Sequence, residues 1–281
     1  MTTTPTADSA SPSSASPAAT PKRSRQRLTI AGVAVVVVLF AIAIVVGQSS
    51  STAPKAPPSA LGTALDNALP SDIAHLPLVD ETGKATDLAS FRGKIVVLTD
   101  FMTLCQEVCP ITTAQLNQVD KAVTKAGLAD KVQFVEITVD PDRDTPDQLH
   151  AYRAFAELPA NFSLLTGTPE NLAILWKYLG VGYDKQPQDD PPGINWRTGQ
   201  PLTYDIQHTD VLMYLDAAGH ERFDIVGMPN GTGAQLTSGE QGFLNDEGQE
   251  NLTDTEDAAW TQAQALQVVS WLAGKNIHPL G

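Results

Sequence analysis

The stretch KIVVLTDF, Lys94 to Phe101, is a nearly unbroken apolar run rich in β-branched residues. A run of that kind suits a central strand buried on both faces. It leads directly into TLCQEVCPITTAQL, which holds both cysteines of the chain, Cys105 and Cys109. After Pro110, the residues Ile111, Leu116, Val119, Val123 and Leu128 recur at steps of three to five residues, with Gly127 near the end. That spacing predicts an amphipathic helix. The cysteines therefore sit between a buried strand and a helix start, and this constrains the fold more than any other feature.

Downstream the chain alternates. VQFVEITVD, Val132 to Asp140, is a second buried strand. The turn PDRDTP follows, and then the helix DQLHAYRAFAEL. Thr145-Pro146 and Thr168-Pro169 are two copies of one helix-start signal. NFSLLTG reads as a short strand, TPENLAILWKYLG as a helix, DVLMYLDAAGHERFDIVG as a hairpin, and DTEDAAWTQAQALQVVSWLAG as a last helix. Near the start of this region, IAHLPLVD reads as a strand containing His75. Tyr183 to Leu202 and residues 228–256 read as long loops. The alternation predicts an α/β domain, and its element order is thioredoxin-like.

The N-terminal part has a different character. LTIAGVAVVVVLFAIAIVVG, Leu28 to Gly47, carries no charge and is about 30 Å long as a helix, the thickness of a bilayer core. KRSRQR precedes it, and positive residues stay on the cytoplasmic side. The expectation is a disordered cytoplasmic tail (1–27), one transmembrane helix (28–47), a flexible extracytoplasmic linker (48–68) and a folded domain (69–281). A cleaved signal peptide is the alternative for the apolar run. The formal net charge of −14 argues against a nucleic-acid partner, which requires a basic footprint.

Two cysteines four residues apart allow three roles. A structural disulfide closing so short a loop contributes only about 2 kcal/mol by chain entropy. A redox pair fits the helix start, where backbone N–H groups favour thiolate, although the carboxylate of Glu107 opposes it. A metal site fits because soft thiolates suit Cu(I) or Zn(II). Two ligands are too few for structural zinc, whereas a third would complete a copper site. Among the five histidines, His75, His150, His220 and His278 read as surface residues. His208, in YDIQHTDVLMYLD, lies at the mouth of a core strand, where functional groups gather.

Together, GKIVVLTDFMTLCQEVCPITTAQL, ITVDPDRDTPDQLHAY and QHTDVLMYLDAAGHERF resemble the Sco/SenC family over Leu78 to Gly227. The resemblance implies a membrane-anchored thioredoxin-like domain facing away from the cytoplasm. It implies copper as the bound metal, with Cys105, Cys109 and His208 as its ligands and Asp140 nearby. It also implies a role in maturing the dinuclear copper centre of cytochrome c oxidase, with subunit II as acceptor. Such a protein is a metallochaperone rather than a turnover enzyme. The alternative is a thiol–disulfide oxidoreductase that uses the same cysteines to keep an acceptor's thiols reduced, without depending on His208. The sequence departs from the family pattern at Met102-Thr103-Leu104, at Gln106 where proline is common, and in the two long loops.

Overall fold

The computed structural model describes residues 53–253 and 255–280. The expected cytoplasmic tail, transmembrane helix and first part of the linker lie outside the described residues. Among the described residues, no helix is long and apolar enough to cross a membrane.

The centre of the domain is built from the two apolar runs. Strands β4 (Ile95–Phe101) and β5 (Val132–Thr138) are buried along their whole length. They pair in parallel from Ile95↔Val132 to Phe101↔Thr138. Strand β6 (Phe162–Thr166) continues the parallel set, with Phe162 opposite Phe134 and their rings stacked at 4.9 Å. On the other side of β4, the hairpin of β9 (Val211–Leu215) and β10 (His220–Val226) runs antiparallel. The edges are closed by β1 (Thr63–Ala68) against β10 and by β2 (Leu78–Asp80) and β3 (Ala85–Thr86) beyond β6. The resulting eight-stranded order is β1-β10-β9-β4-β5-β6-β2-β3. This is the expected α/β, thioredoxin-like arrangement of a parallel core with an antiparallel hairpin beside it.

Helices cover both faces. α2 (Cys109–Lys125) buries Ile111, Leu116, Val119 and Val123 and packs against the C-terminal helix α7 (Gln262–Ala273). α3 (Pro146–Phe155) and α4 (Pro169–Leu179) each begin on a threonine whose side chain accepts a backbone N–H, from Gln148 and Asn171 respectively. α4 ends at Gly180, whose φ of 75° is left-handed and favours glycine. Its Trp176, fully buried, donates its indole N–H to the Thr138 carbonyl at 3.0 Å and ties α4 to the carboxyl end of β5.

Four segments differ from their sequence reading. Residues 63–68, assigned to the linker, form β1; most of its side chains are exposed, so no apolar alternation marks it, and backbone pairing to β10 holds it. The reading of IAHLPLVD as one strand is corrected: α1 (Ser71–Ala74) comes first, and the strand begins only after Pro77, which has no N–H for a ladder. The first long loop opens with β7 (Tyr183–Gln186), which pairs with β8 (Asp205–His208) in a separate two-stranded sheet. The second contains two short helices, α5 (Ser238–Phe243) and α6 (Asp246–Asn251), capped by Thr237 and Asn245.

Candidate functional site

Strand β4 delivers the cysteines. It ends at Phe101, the chain turns through residues 102–108, and α2 starts at Cys109. Both cysteines are free thiols and both are buried. The backbone N–H of Cys109 points at Cys105 Sγ, 3.3 Å away. The sulfur therefore sits where the free N–H groups and positive end of a 17-residue helix gather.

The imidazole arrives from the other side of the sheet centre. β9 runs antiparallel to β4, with Thr99 opposite Leu212, so the start of β9 lies at the carboxyl end of β4. His208 is the last residue of β8, and Tyr183 pairs with it across the small sheet. Its Nε2 lies 3.6 Å from Cys109 Sγ. Its Nδ1 meets Asp100 Oδ2 at 2.6 Å. Asp100 uses its second oxygen to accept the Val211 N–H at 3.0 Å, which locks the mouth of β9 to β4. The Asp100 contact makes Nδ1 the donor and leaves Nε2 facing the sulfurs.

Charge is shared unevenly in this cluster. The hydrogen bond from Cys109 holds the Cys105 thiol well below the ordinary range despite burial, and His208 adds to this. Burial, then the neighbouring Cys105, push Cys109 well above it. Burial works against a charged His208, but Asp100, Cys105 and Asp210 together raise its pKa well above the usual histidine value. These shifts draw the cluster toward a Cys105 thiolate, a Cys109 thiol and a His208 imidazolium. Glu107, named above as an opponent of thiolate, is pushed up to about 7 by burial and by the charge of Cys105. At neutral pH it is thus about half protonated, and its opposition is weaker than the sequence suggests.

The thiol and imidazole donors fit a soft metal. Among the described residues no group of three or more His, Cys, Asp or Glu side chains is already spread around a metal position. The trio is closed up as a hydrogen-bonded cluster instead. Its Cys109–His208 separation of 3.6 Å nevertheless matches the roughly 3.5–3.8 Å that thiolate and imidazole would keep on one ion at zinc-like bond lengths. A metal held by Cys109 and His208 would take the place of the hydrogen bond between them.

The other histidines lie apart. His75 follows α1 and bonds Asp87 at 2.9 Å on the surface. His150 and His278 are exposed, and His220 faces Asp66 at 3.3 Å. Asp140 accepts from the Tyr204 hydroxyl at 2.8 Å and pairs with Arg143, so its role is to brace the turn after β5. Three acids escaped sequence reading. Asp100 lies hidden in an apolar strand, and Asp210 stands 3.8 Å from His208 Nδ1. Asp144, fully buried, accepts from Thr103 N at 3.1 Å, from Thr103 Oγ1 and from Thr138 Oγ1, and so anchors the start of the cysteine loop. For Asp100 the available signal was an acid placed within a strand otherwise too apolar for one.

The family described as SCO1/SenC matches this chain over residues 71–226. A protein of Stutzerimonas stutzeri named for copper binding is 33% identical over 111 residues, covering 40% of this chain and 53% of that protein. The mitochondrial SCO2 homologue of Bos taurus is 32% identical over 113 residues, covering 40% of this chain and 42% of its own length. The chain thus spans about half the length of the relatives it matches. Among solved structures, Bradyrhizobium japonicum ScoI with copper bound is similar at 29% identity and a TM-score of 0.44, covering 52% of this chain and 83% of that one.

Proposed function

The chain belongs to the SCO1/SenC family, and from that premise we propose that it is a copper-binding metallochaperone whose ligands are Cys105, Cys109 and His208. The observation that carries the reading is the meeting of His208 Nε2 with the cysteine pair while Asp100 holds its Nδ1. The relative named for copper binding supports the choice of metal, and two thiolates with one imidazole suit Cu(I).

Each residue has a defined task. Cys105, already drawn toward thiolate, offers the first sulfur. Cys109 gives up its proton to become the second. His208 gives up the proton on Nε2 and keeps the one it donates to Asp100. Three ligands leave the ion open to exchange with the thiolates and imidazoles of an acceptor. On this reading residues 28–47 anchor the chain in the cell membrane with its N-terminus cytoplasmic, and the domain works outside the cytoplasm. The acceptor is the dinuclear copper centre of cytochrome c oxidase, in subunit II.

The unequal thiols favour a second reading, a thiol–disulfide oxidoreductase. Cys105 thiolate would attack one sulfur of a partner disulfide, release one partner thiolate and form a mixed disulfide. Cys109, once deprotonated, would then attack Cys105 and release the second thiolate. Two electrons pass to the partner, and the pair ends as a disulfide.

Titrating Cu(I) into the reduced full chain, as wild type and as His208→Ala, tests the first reading. A large loss of affinity in the variant is expected. A copper affinity that is weak and independent of His208 would leave only the oxidoreductase.

A further inference from the structure

The two cysteines are 5% and 2% exposed, although the chemistry proposed for them needs contact with a partner. The segment Thr237–Asn251, which contains α5 and α6, bears directly on the loop between them. The Gln106 side-chain amide donates to the Phe243 carbonyl at 2.9 Å. The Asn245 backbone N–H donates to the Gln106 carbonyl at 3.0 Å. The Asn245 side-chain amide donates to Glu107 Oε1 at 2.8 Å. Gly248 lies so close that a Cβ there would sit 2.2 Å from the same Gln106 carbonyl oxygen. Gln106 and Glu107, the residues between the cysteines that break the family pattern or bear charge, are thus both hydrogen-bonded by this segment, and Gln106 also packs against Gly193 of the first long loop.

The segment's own attachment is narrow. Phe243 belongs to a small cluster with Leu104 and Leu202, joined to the main core only through the flanking Phe155 and Trp196, which pack against both. Thr237 reaches the Phe155 carbonyl at 3.0 Å. Each of the two helices has six residues, too few to be stable in isolation. A segment held by a satellite cluster and a few hydrogen bonds belongs to the part of a fold that opens first.

We propose that Thr237–Asn251 determines access to the cysteine pair: Gln106 and Asn245 hold it across the loop, and a partner reaches Cys105 only after it is displaced. The inference rests on the proposed reading only for its purpose, since the covering of the thiols does not depend on copper.

The test is alkylation of the metal-free, reduced full chain, with modification of Cys105 followed by mass spectrometry. Iodoacetamide serves as the small probe and a polyethylene-glycol maleimide as the bulky one. Asn245→Ala removes the bond to Glu107, and Gly248→Ala pushes α6 off the Gln106 carbonyl. Wild type should react far more slowly than the unfolded chain, most of all with the bulky probe. When opening is fast, the rate follows the open population, so each variant should react about fivefold faster or more. Equal rates in wild type and both variants would overturn the proposal, as would a wild-type rate equal to that of the unfolded chain. Hydrogen exchange on the wild type gives a reading that needs no variant. The Asn245 and Gly248 amides should exchange by an opening easier than that of β4 and β5, and equal protection would count against the proposal. Copper titration remains independent of these results, so either reading can fail alone.

Discussion

Asp100 and His208 are 108 residues apart in the chain and meet through a 2.6 Å hydrogen bond, so one carboxylate decides which imidazole nitrogen faces the thiols. The same carboxylate holds the Val211 N–H. It therefore sets both the ring's proton and the strand that carries the ring into place.

Replacing that carboxylate should weaken metal binding more than it weakens the fold. Asp100→Asn keeps the size and an oxygen for Val211 but loses the charged partner of His208. Copper affinity should fall about 10–100-fold, as for other partners of metal-bound histidines. Titration with Cu(I) measures this. Nitrogen NMR of the His208 ring should report a changed tautomer mixture, which a simple loss of stability would not produce.

Loading should release protons. Cys109 is held as a thiol by burial and by the neighbouring Cys105, while contacts with Asp100 and Cys105 keep His208 protonated against burial. On the proposed ligand set both lose a proton to bind, so acid should compete with copper and affinity should rise with pH through the neutral range. Calorimetry in buffers of different ionisation enthalpy counts the protons. In His208→Ala the count should drop.

Stability should fall as pH rises from about 4.5 to 8. Burial raises Glu136 to about 8, Glu240 to about 7 and Asp144 to about 7, all above their values in an unfolded chain. In that window the folded state binds more protons than the unfolded state, so raising the pH favours unfolding. Glu136 has one oxygen without a partner and the other accepting from Thr113. Glu136→Gln should flatten the slope of the urea midpoint between pH 5 and pH 8.5. An unchanged slope would remove Glu136 from this account.

Leu116 is fully buried on the face of α2 that meets the sheet and α7. Leu116→Ala should cost about 2–5 kcal/mol, the loss of burial plus the cavity left behind. Denaturant unfolding checks this. The fluorescence of Trp260 and Trp271, which sit beside and on α7, should report the same transition as far-UV circular dichroism.

Much of the fold was legible because burial leaves a mark on composition. β4 and β5 are apolar throughout since both of their faces are covered. α3 and α4 carry Thr-Pro starts because their first N–H groups need an acceptor and their first turn has none to offer. The elements that escaped reading are those held by backbone pairing or by contact with the site. β1 and β7 have mainly exposed side chains, and α5 and α6 are short helices rich in Gly, Asn, Asp and Glu.

By itself, the order of residues determined that a buried strand ends in two cysteines at a helix start, and that His208 precedes another core strand. Those are local facts, fixed by periodicity and by capping chemistry. Only the tertiary structure decided that β9 runs antiparallel to β4, bringing His208 to the cysteines, and that Asp100 orients its ring. It also decided that a segment reading as a loop closes over Gln106 and Glu107. Contacts between groups a hundred residues apart depend on sheet order and register, and no local pattern encodes either.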